Sequence, residues 1–209
     1  MKFSYNWLKE LSGTKKSVDK IAELFMTHSF EVEGIEDLSE GLQNVVIGEV
    51  MTKEKHPDAD RLNVATVNVG NEELQIVCGA PNLNVGQKVP VALVGANLKG
   101  EFKIKKSKIR GIESNGMICA EDELGIGTEH DGIMVLADDA PIGEAFAKYA
   151  GLDDMIMDID ILPNRGHDGL SYVGIANEIR ALEDNVESHT IPNPLPEGED
   201  ELHVEISTN

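Results

Sequence analysis

The side chains in this sequence with the clearest chemical capacity are the basic ones between Lys99 and Arg110. This stretch holds six Lys and Arg residues against one acid, Glu101, which is a local excess of five positive charges. Clustered Lys and Arg side chains attract the phosphate groups of polyanions. If the protein meets a polyanion, we expect the contact here. The alternative is a solvated lysine face that protects an edge strand from aggregation.

A second candidate is the loop HPDADR at positions 56–61. Pro57 and Asp58 favour a turn, and Asp60 can accept backbone N–H bonds that hold the loop in shape. We interpret both acids as structural. Arg61 can join the basic segment, whereas His56 fits either a contact with the polyanion or a hydrogen-bonded loop histidine.

Other kinds of site find little support. A metal site would have to combine His56, Cys78, Cys119 and His130, whose spacings match no zinc pattern. The acidic run 121–123 lacks EF-hand spacing and is typical of a solvated helix face. No Ser/His/Asp set and no phosphate-binding glycine loop after a strand is present. Both cysteines lie in apolar runs, which predicts reduced thiols buried in the core.

The charge of the whole chain limits the possible partners. Its formal net charge of −20 opposes indiscriminate coating of nucleic acid, because phosphates would be repelled. Residues 44–130 hold 10 of the 18 Lys and Arg and 12 of the 38 Asp and Glu, a balance of −2, and all other residues together carry −18. No apolar run approaches the ~20 residues that cross a bilayer, and the start lacks a signal-peptide pattern. We therefore expect a cytoplasmic protein.

The segment from Val45 to Gly125 must position both candidate sites. Its short Val- and Ile-rich runs, separated by Gly, Pro, Asn and Asp, predict closely spaced strands in a small β-barrel or sandwich. We expect the basic segment to be one strand, with Phe102 and Ile104 facing the core. The segment would then offer no exposed aromatic ring for stacking on bases.

Smaller features of the same segment are also predicted. They are a bend at Gly48, a bulge near Ala65, an edge position at Pro90, a one-turn helix at 121–124, a strand at 132–136, and departure from the barrel at 139–152.

The flanks of the barrel predict a second unit. Ser17 is placed to cap a helix that runs to about Ser29, and a strand follows at 31–38. After the barrel, residues 155–162 alternate strictly as a half-buried strand, and Asp168 is placed to cap a second helix. Each half leaves one apolar face uncovered. We therefore expect the halves to pack together with the barrel inserted between them.

The C-terminal residues look like the start of something further. Residues 191–201 read as a Pro-rich acidic linker, and an alternating strand begins at 202 and stops at Asn209. This predicts that the sequence belongs to a longer protein.

Several separated stretches resemble a known family. The stretches are HPDADRLNV, QIVCGAPN, VPVALVGA, KIRGIESNGMIC and EDELG in the barrel, MKFSYNWLKEL and SFEVEGI before it, and DIDILPNRGHDGLSYVGIANEIRAL after it. Those in the barrel are similar to the tRNA-binding OB-fold domain of standalone tRNA-binding proteins and of many methionyl-tRNA synthetases. With the flanks included, residues 1–184 resemble the N-terminal region of the bacterial phenylalanyl-tRNA synthetase β subunit.

The resemblance implies a fold. We expect a five-stranded OB-fold β-barrel inserted into a small split α+β domain. Residues 1–40 and 151–188 would form the two halves of the split domain, residues 41–150 the OB-fold tRNA-binding domain, and residues 189–209 a linker and the start of the next domain.

The resemblance also implies a function. The family is an aminoacyl-tRNA synthetase, a phenylalanine–tRNA ligase of two α and two β subunits that uses ATP and magnesium. Its aminoacylation site is on the α subunit and its editing site lies beyond residue 209, so we expect this chain to be non-catalytic, with no cofactor or metal of its own and no membrane or DNA partner. Recognition of tRNA would depend on shape and phosphates rather than on base sequence.

Two other functions stay open: a purely structural protein-interaction module without tRNA contact, and a standalone tRNA-binding protein. The residues expected to contact RNA are His56, Arg61, Lys103, Lys105, Lys106, Lys108, Arg110 and Ser114.

Overall fold

Short strands dominate the secondary structure. The structure is a computed structural model that describes residues 1–98, 100, 102–128 and 131–183. The predicted linker and the strand that begins at 202 lie outside the described residues. The strands are β1 (Lys2–Ser4), β2 (Glu31–Asp37), β3 (Val45–Lys55), β4 (Asn63–Asn68), β5 (Glu73–Cys78), β6 (Lys88–Leu93), β7 (Asn97–Leu98), β8 (Phe102–Lys103), β9 (Ser107–Ile109), β10 (Ile112–Ser114), β11 (Gly116–Ile118) and β12 (Met155–Asp160). The helices are α1 (Tyr5–Ser12), α2 (Val18–His28), α3 (Phe146–Tyr149), α4 (Gly166–Gly169) and α5 (Tyr172–Leu182), with a 3₁₀ turn at Pro163–Arg165.

The central unit is a nearly closed antiparallel barrel. Its sheet order is β11-β6-β3-β4-β5. β3 is long enough to serve both sides of the sheet, because residues 45–49 pair with β6 and residues 49–55 pair with β4. The outer strands approach each other where the Asn115 N–H donates to the Gln75 carbonyl (2.9 Å). A barrel of five strands was predicted and is confirmed.

Gly48 allows β3 to bend at the point where it changes partner. A Cβ atom at this position would lie 2.7 Å from a Val67 methyl and 2.8 Å from a Val91 methyl. Both distances are shorter than ordinary van der Waals contact, so any side chain would displace core residues. The sequence predicted either a bend or a close approach at Gly48, and the close approach is confirmed.

A bulge does occur in the barrel, but on β3 and not on β4. The register between the two strands shifts between Val50 and Thr52. Along β4 the register with β5 is continuous. Ala65 is fully buried while Val64 is half-buried, so the alternation never slips. The bulge predicted near Ala65 is therefore wrong.

Pro90 does not occupy an edge, because β6 lies between β3 and β11. The Cys119 N–H donates to the Pro90 carbonyl (3.0 Å), and the Cys119 carbonyl accepts from the Met134 N–H (2.9 Å). Pro90 has no N–H to donate to the Cys119 carbonyl opposite it. That carbonyl accepts from Met134 instead, so it does not remain unpaired. The predicted edge position is wrong.

The basic segment forms parts of two hairpins, not the single strand predicted. β8 pairs with β7, and β9 pairs with β10. Between β8 and β9, the Ile104 N–H donates to the Ala96 carbonyl (2.8 Å) and the Ile104 carbonyl accepts from the Gly95 N–H (2.8 Å). Ile104 is buried. The strand is interrupted here because Ile104 reaches the core while the residues around it stay in solvent.

Two predicted elements after the hairpins take other forms. Residues 121–124 form consecutive turns and not a helix, and residues 132–136 are extended without forming a strand. The latter still join the barrel, because the Leu136 N–H donates to the Lys88 carbonyl (2.8 Å).

Residues 139–152 stay with the barrel, contrary to the prediction. Ala145 forms a β-bridge with Val46. Phe146 is fully buried in a cluster that includes barrel residues. The apolar side chain at the start of α3 therefore closes part of the barrel core.

The two flanks share one sheet and one core. β12 lies between β1 and β2 in an antiparallel three-stranded sheet. The core that joins the flanks includes Phe3, Leu8, Ile21, Phe25, Met157, Ile159, Ile175 and Ile179. This confirms the predicted fold class, an OB-fold barrel inserted into a small split α+β domain. The exact boundaries of the four predicted segments stay predictions.

The helix caps show one prediction confirmed and one wrong. Ser17 caps α2, and its hydroxyl accepts an N–H of the first turn. α5 is capped by Ser171, not by Asp168. The Asp168 carboxylate instead accepts from the Arg165 guanidinium (2.8 Å), which lowers the pKa of Asp168. Asp168 lies within the short helix α4, which precedes α5. It is therefore too early in the chain to cap α5.

Candidate nucleic-acid interface

Six of the eight side chains predicted to contact a polyanion are exposed on the barrel. They are Arg61, Lys103, Lys105, Lys106, Lys108 and Arg110. Five of these lie on β8, on β9 or on the residues that directly follow these strands. The barrel therefore presents cations on two adjacent hairpins, in a chain whose formal net charge is −20.

The hairpin of β9 and β10 has a tight turn. Arg110 and the following Gly111 both have positive φ, 47° and 88°. Two successive residues of this kind characterise the type I′ turn, whose twist matches that of the strands it joins. The turn places Arg110 at the tip of the hairpin with its side chain exposed.

An acid on the same hairpin offsets part of this charge. Glu113 lies opposite Lys108 in the register and forms an ion pair with Lys106 (3.1 Å). The two side chains of the ion pair are 60% and 45% exposed, so water screens the pair and it contributes little stability. A phosphate could therefore displace Glu113 from Lys106 at small cost.

His56 ties the 56–61 loop to this hairpin. The ring is buried, with 4% exposure. Its Nδ1 accepts from the Asp58 N–H (3.1 Å) and its Nε2 donates to the Ile109 carbonyl (3.1 Å), which requires a neutral ring protonated on Nε2. The Arg110 Nη1 also donates to the Asp58 carbonyl (3.3 Å). Arg61 and Arg110 are thus carried by one connected unit.

Ser114 ties the other end of the hairpin to β5. Its side chain is 2% exposed. The hydroxyl accepts from the Val77 N–H (3.1 Å) and donates to the Gly116 carbonyl (3.1 Å). Gln75 adds a further tie, because its side-chain amide donates to the Glu113 carbonyl (2.8 Å).

His56 and Ser114 therefore differ from the other six predicted contact residues. Both are buried, and their polar atoms are hydrogen-bonded within the barrel. We assign both a positioning role: they hold the cationic hairpin against the loop and against β5. The sequence pattern could not separate the two roles, because burial depends on strands that are distant along the chain.

Phe102 is a feature that sequence reasoning missed. It was predicted to face the core with Ile104, but its side chain is 58% exposed. It lies opposite Leu98, and Gly100 forms part of the turn between them. Leu98 and Ile104 reach the core, whereas Phe102 does not. In the sequence, Gly100 was the feature that indicated a turn, and therefore the tip of the hairpin, close to Phe102.

Lys55 is a second missed residue. It is exposed at the end of β3, directly before His56. Its position beside the 56–61 loop was visible in the string KEKH, where two lysines precede the histidine. It adds one cation at the base of the loop that carries Arg61.

The two cysteines are free and buried, as predicted. Burial raises the pKa of both thiols, and that of Cys119 rises to about 12. Both thiols are therefore held in the protonated form, which is a poor nucleophile. His130, the fourth member of the metal set that we considered, lies outside the described residues.

No helix in the described part of the chain is both long and apolar enough to span a bilayer.

The connectivity of the barrel defines its class. Its first strand, β3, pairs with the second and with the fourth, and the fifth strand pairs with the fourth and approaches the third. This is the OB fold, whose members commonly bind nucleic acid. The sequence model of the family described as "Putative tRNA binding domain" matches residues 45–145, which include every strand of the barrel.

Similarity to known proteins extends to the flanks. The phenylalanine–tRNA ligase β subunit of Francisella tularensis is 47% identical over 210 residues, which cover 99% of this chain and 26% of that protein. The β subunit of Fusobacterium nucleatum is 50% identical over 182 residues, covering 87% and 23%, and that of Coxiella burnetii is 48% identical over 183 residues, also covering 87% and 23%. The chain therefore belongs to the phenylalanine–tRNA ligase β subunit family. It spans about a quarter of the length of these curated relatives.

Proposed function

We propose that this chain is the tRNA-docking part of a phenylalanine–tRNA ligase β subunit. Its OB barrel would hold the tRNA backbone on the two cationic hairpins, and its split domain would connect the barrel to the rest of the enzyme. The proposal is carried by one observation: six exposed Lys and Arg side chains lie on one barrel in an acidic chain, and buried polar residues hold the hairpin that bears two of them, Lys108 and Arg110.

The charges favour a docking role that is limited to this surface. An RNA that approaches the chain is repelled by most of it, since residues outside 44–130 carry −18. It is attracted only where Lys103, Lys105 and Lys108 project into solvent. Such an arrangement selects one orientation of a large polyanion, because every other approach brings like charges together.

Phosphate contacts made by flexible lysines fix the position of the RNA on the protein but do not distinguish one base sequence from another. Lys105, Lys106 and Lys108 follow one another along the link between the hairpins. Cations spaced in this way can follow a phosphate backbone without a fixed pairing scheme. The barrel would therefore recognise the shape of the tRNA, while discrimination among tRNAs would come from elsewhere in the enzyme.

The complete enzyme would attach phenylalanine to its tRNA, using ATP and magnesium, as a heterotetramer of two α and two β subunits in the cytoplasm. We place the aminoacylation site on the α subunit and the editing site in the remainder of the β subunit. On this proposal the chain itself carries out no step of the reaction.

A second candidate function is that of a protein-interaction module without direct tRNA contact. It is favoured by exposed apolar side chains on the split domain. Trp7 is 60% exposed, Leu11 41% and Val173 50%, and α1 and α5, which carry them, pack together. A large exposed aromatic beside other apolar residues is typical of an interface with protein.

Replacing the lysines of the hairpins tests the proposal. In the variant Lys103→Ala, Lys105→Ala, Lys106→Ala and Lys108→Ala we expect weaker binding of a phenylalanine tRNA transcript. The slope of log affinity against log salt between about 50 and about 200 mM should fall by about 3, since each lost phosphate contact changes it by ~0.7–0.9. Filter binding at several salt concentrations measures this slope.

A matched control changes the same number of charges elsewhere. Lys9, Lys15, Lys20 and Lys148 are exposed and lie outside the barrel strands, and their replacement by Ala gives the same net charge. We expect this control to keep most of the affinity and the original slope. If both variants bind tRNA like the wild-type chain at low salt, the docking proposal is wrong and the interaction module is favoured.

A further inference from the structure

Phe102 is an exception among the phenylalanines of the protein. The chain has five phenylalanines. Phe3, Phe25, Phe30 and Phe146 are at most 5% exposed, whereas Phe102 is 58% exposed. Most of the ring is therefore available for contact with another molecule.

The hairpin of β7 and β8 holds this ring at a defined place. Leu98, directly opposite Phe102, is 2% exposed. Ile104, two residues further, is 5% exposed, and its backbone is bonded to Gly95 and to Ala96 at 2.8 Å each. Directly opposed residues of an antiparallel pair lie side by side, so the ring stands next to Leu98 but, unlike Leu98, stays mostly exposed. It is therefore presented to solvent from an anchored backbone.

Cations follow the ring along the chain. Lys103 follows it directly, and Lys105 and Lys106 follow Ile104. All three lysines are exposed. Lysine is depleted in the cores of protein interfaces, so an exposed ring beside three lysines fits a nucleic acid better than it fits a protein. Single-stranded nucleic acid is held by this combination, in which aromatic rings stack on bases and cations hold the phosphates.

We propose that Phe102 stacks on an unpaired base of the bound RNA. The inference rests on the proposed tRNA docking and makes it more specific: the barrel engages a loop or an unstacked nucleotide, since the bases of a continuous A-form helix are stacked on each other and offer no free face. Lys103 and Lys105 would hold the phosphates on either side of that nucleotide. The ring reads no base identity, because every base has a π-face.

Substitution of Phe102 measures the stacking directly. In the full chain, Phe102→Ala should weaken binding of a phenylalanine tRNA transcript roughly 5- to 100-fold, the range seen when base-stacking aromatics are removed. Phe102→Leu keeps most of the apolar volume but not the ring, and should lose most of the same affinity. The control Val85→Ala removes another exposed apolar side chain, 59% exposed, and should bind as the wild type does.

A fluorescence signal separates stacking from general loss of contact. Trp7 is the only tryptophan in the chain, so Phe102→Trp in a Trp7→Phe background places a single reporter on the hairpin. Its emission should be quenched by the tRNA transcript. An RNA duplex of the same length without unpaired bases should quench it much less, even at salt concentrations low enough for the duplex to bind.

Each outcome decides between the two proposals. If the wild-type chain binds no tRNA, or the four-lysine variant binds as well as the wild type, the docking proposal fails and the stacking proposal fails with it. If the lysines matter but Phe102→Ala and Phe102→Leu bind normally and the tryptophan is not quenched, only the stacking proposal is overturned. If Phe102→Ala leaves tRNA affinity unchanged and reduces self-association in sedimentation without RNA, the ring contacts protein instead.

Discussion

Replacing His56 by alanine should release the loop that carries Arg61 and lower the stability of the whole barrel. The ring makes two hydrogen bonds of 3.1 Å, one from the Asp58 N–H and one to the Ile109 carbonyl. Asp58 is exposed and can rebind water, so the first loss is worth about 0.5–1 kcal/mol. Ile109 is half-buried, and a carbonyl left without a donor there costs about 1–2 kcal/mol.

The sum is a loss of about 1.5–3 kcal/mol in the free energy of unfolding. In a chain of this length, each kcal/mol lowers the melting temperature by about 2–4 °C, so we expect a decrease of about 3–12 °C. Urea unfolding followed by circular dichroism measures the first quantity, and a thermal scan measures the second.

Two conservative variants divide the effect between the ring nitrogens. His56→Asn places an amide oxygen near the position of Nδ1 and should keep the bond from the Asp58 N–H. His56→Gln places an amide N–H near the position of Nε2 and should keep the bond to the Ile109 carbonyl. Each should recover part of the stability lost in His56→Ala. If His56→Ala unfolds within about 0.5 kcal/mol of the wild type, the buried ring does not tie the loop to the hairpin.

Three further predictions concern the scaffold. Gly48→Ala should cost about 1–3 kcal/mol in urea unfolding, since the new methyl would meet valine methyls at 2.7 and 2.8 Å; an unchanged midpoint would show that the barrel wall yields there. Ser171→Ala should destabilise the chain by about 0.5–2 kcal/mol and Asp168→Ala by clearly less, because only Ser171 caps α5; the reverse order would restore Asp168 as the cap. The Cys119 pKa is raised from 9.0 to about 12, so the folded state retains a proton that the unfolded state releases. The contribution of this thiol to the free energy of unfolding should therefore be constant below pH 9.0 and fall between pH 9.0 and about 12. Urea unfolding at each pH should show a smaller decrease over that range in Cys119→Ala than in the wild type.

The predictions that succeeded depended on neighbours along the chain. The cap at Ser17 and the alternation of residues 155–162 are local, because a hydroxyl reaches an N–H three residues away and a strand shows its buried face at every second position. The bend at Gly48 was also readable, since a glycine in an apolar strand indicates close approach of another backbone or side chain. Motifs in the barrel and in both flanks likewise carried the resemblance to the synthetase family.

The predictions that failed depended on contacts between distant segments. Pro90 tolerates a central strand only because Met134 donates to the carbonyl opposite it. Phe102 and Ile104 have the same pattern in the sequence, but one is exposed and the other buried. In the sequence, His56 and Ser114 resemble surface polar residues. In the fold both are buried, because His56 bonds to the β9–β10 hairpin and Ser114 bonds to β5.

The sequence by itself determined the class of this protein, most of the elements that flank the barrel, and the place where positive charge accumulates, because composition, periodicity and motif order are properties of the chain. Only the tertiary structure decided which polar residues face a ligand and which hold the scaffold. Solvent exposure and hydrogen-bond partners arise when segments more than 30 residues apart meet, as His56 and Ile109 do across 53 positions. No local sequence pattern shows which distant segments will meet.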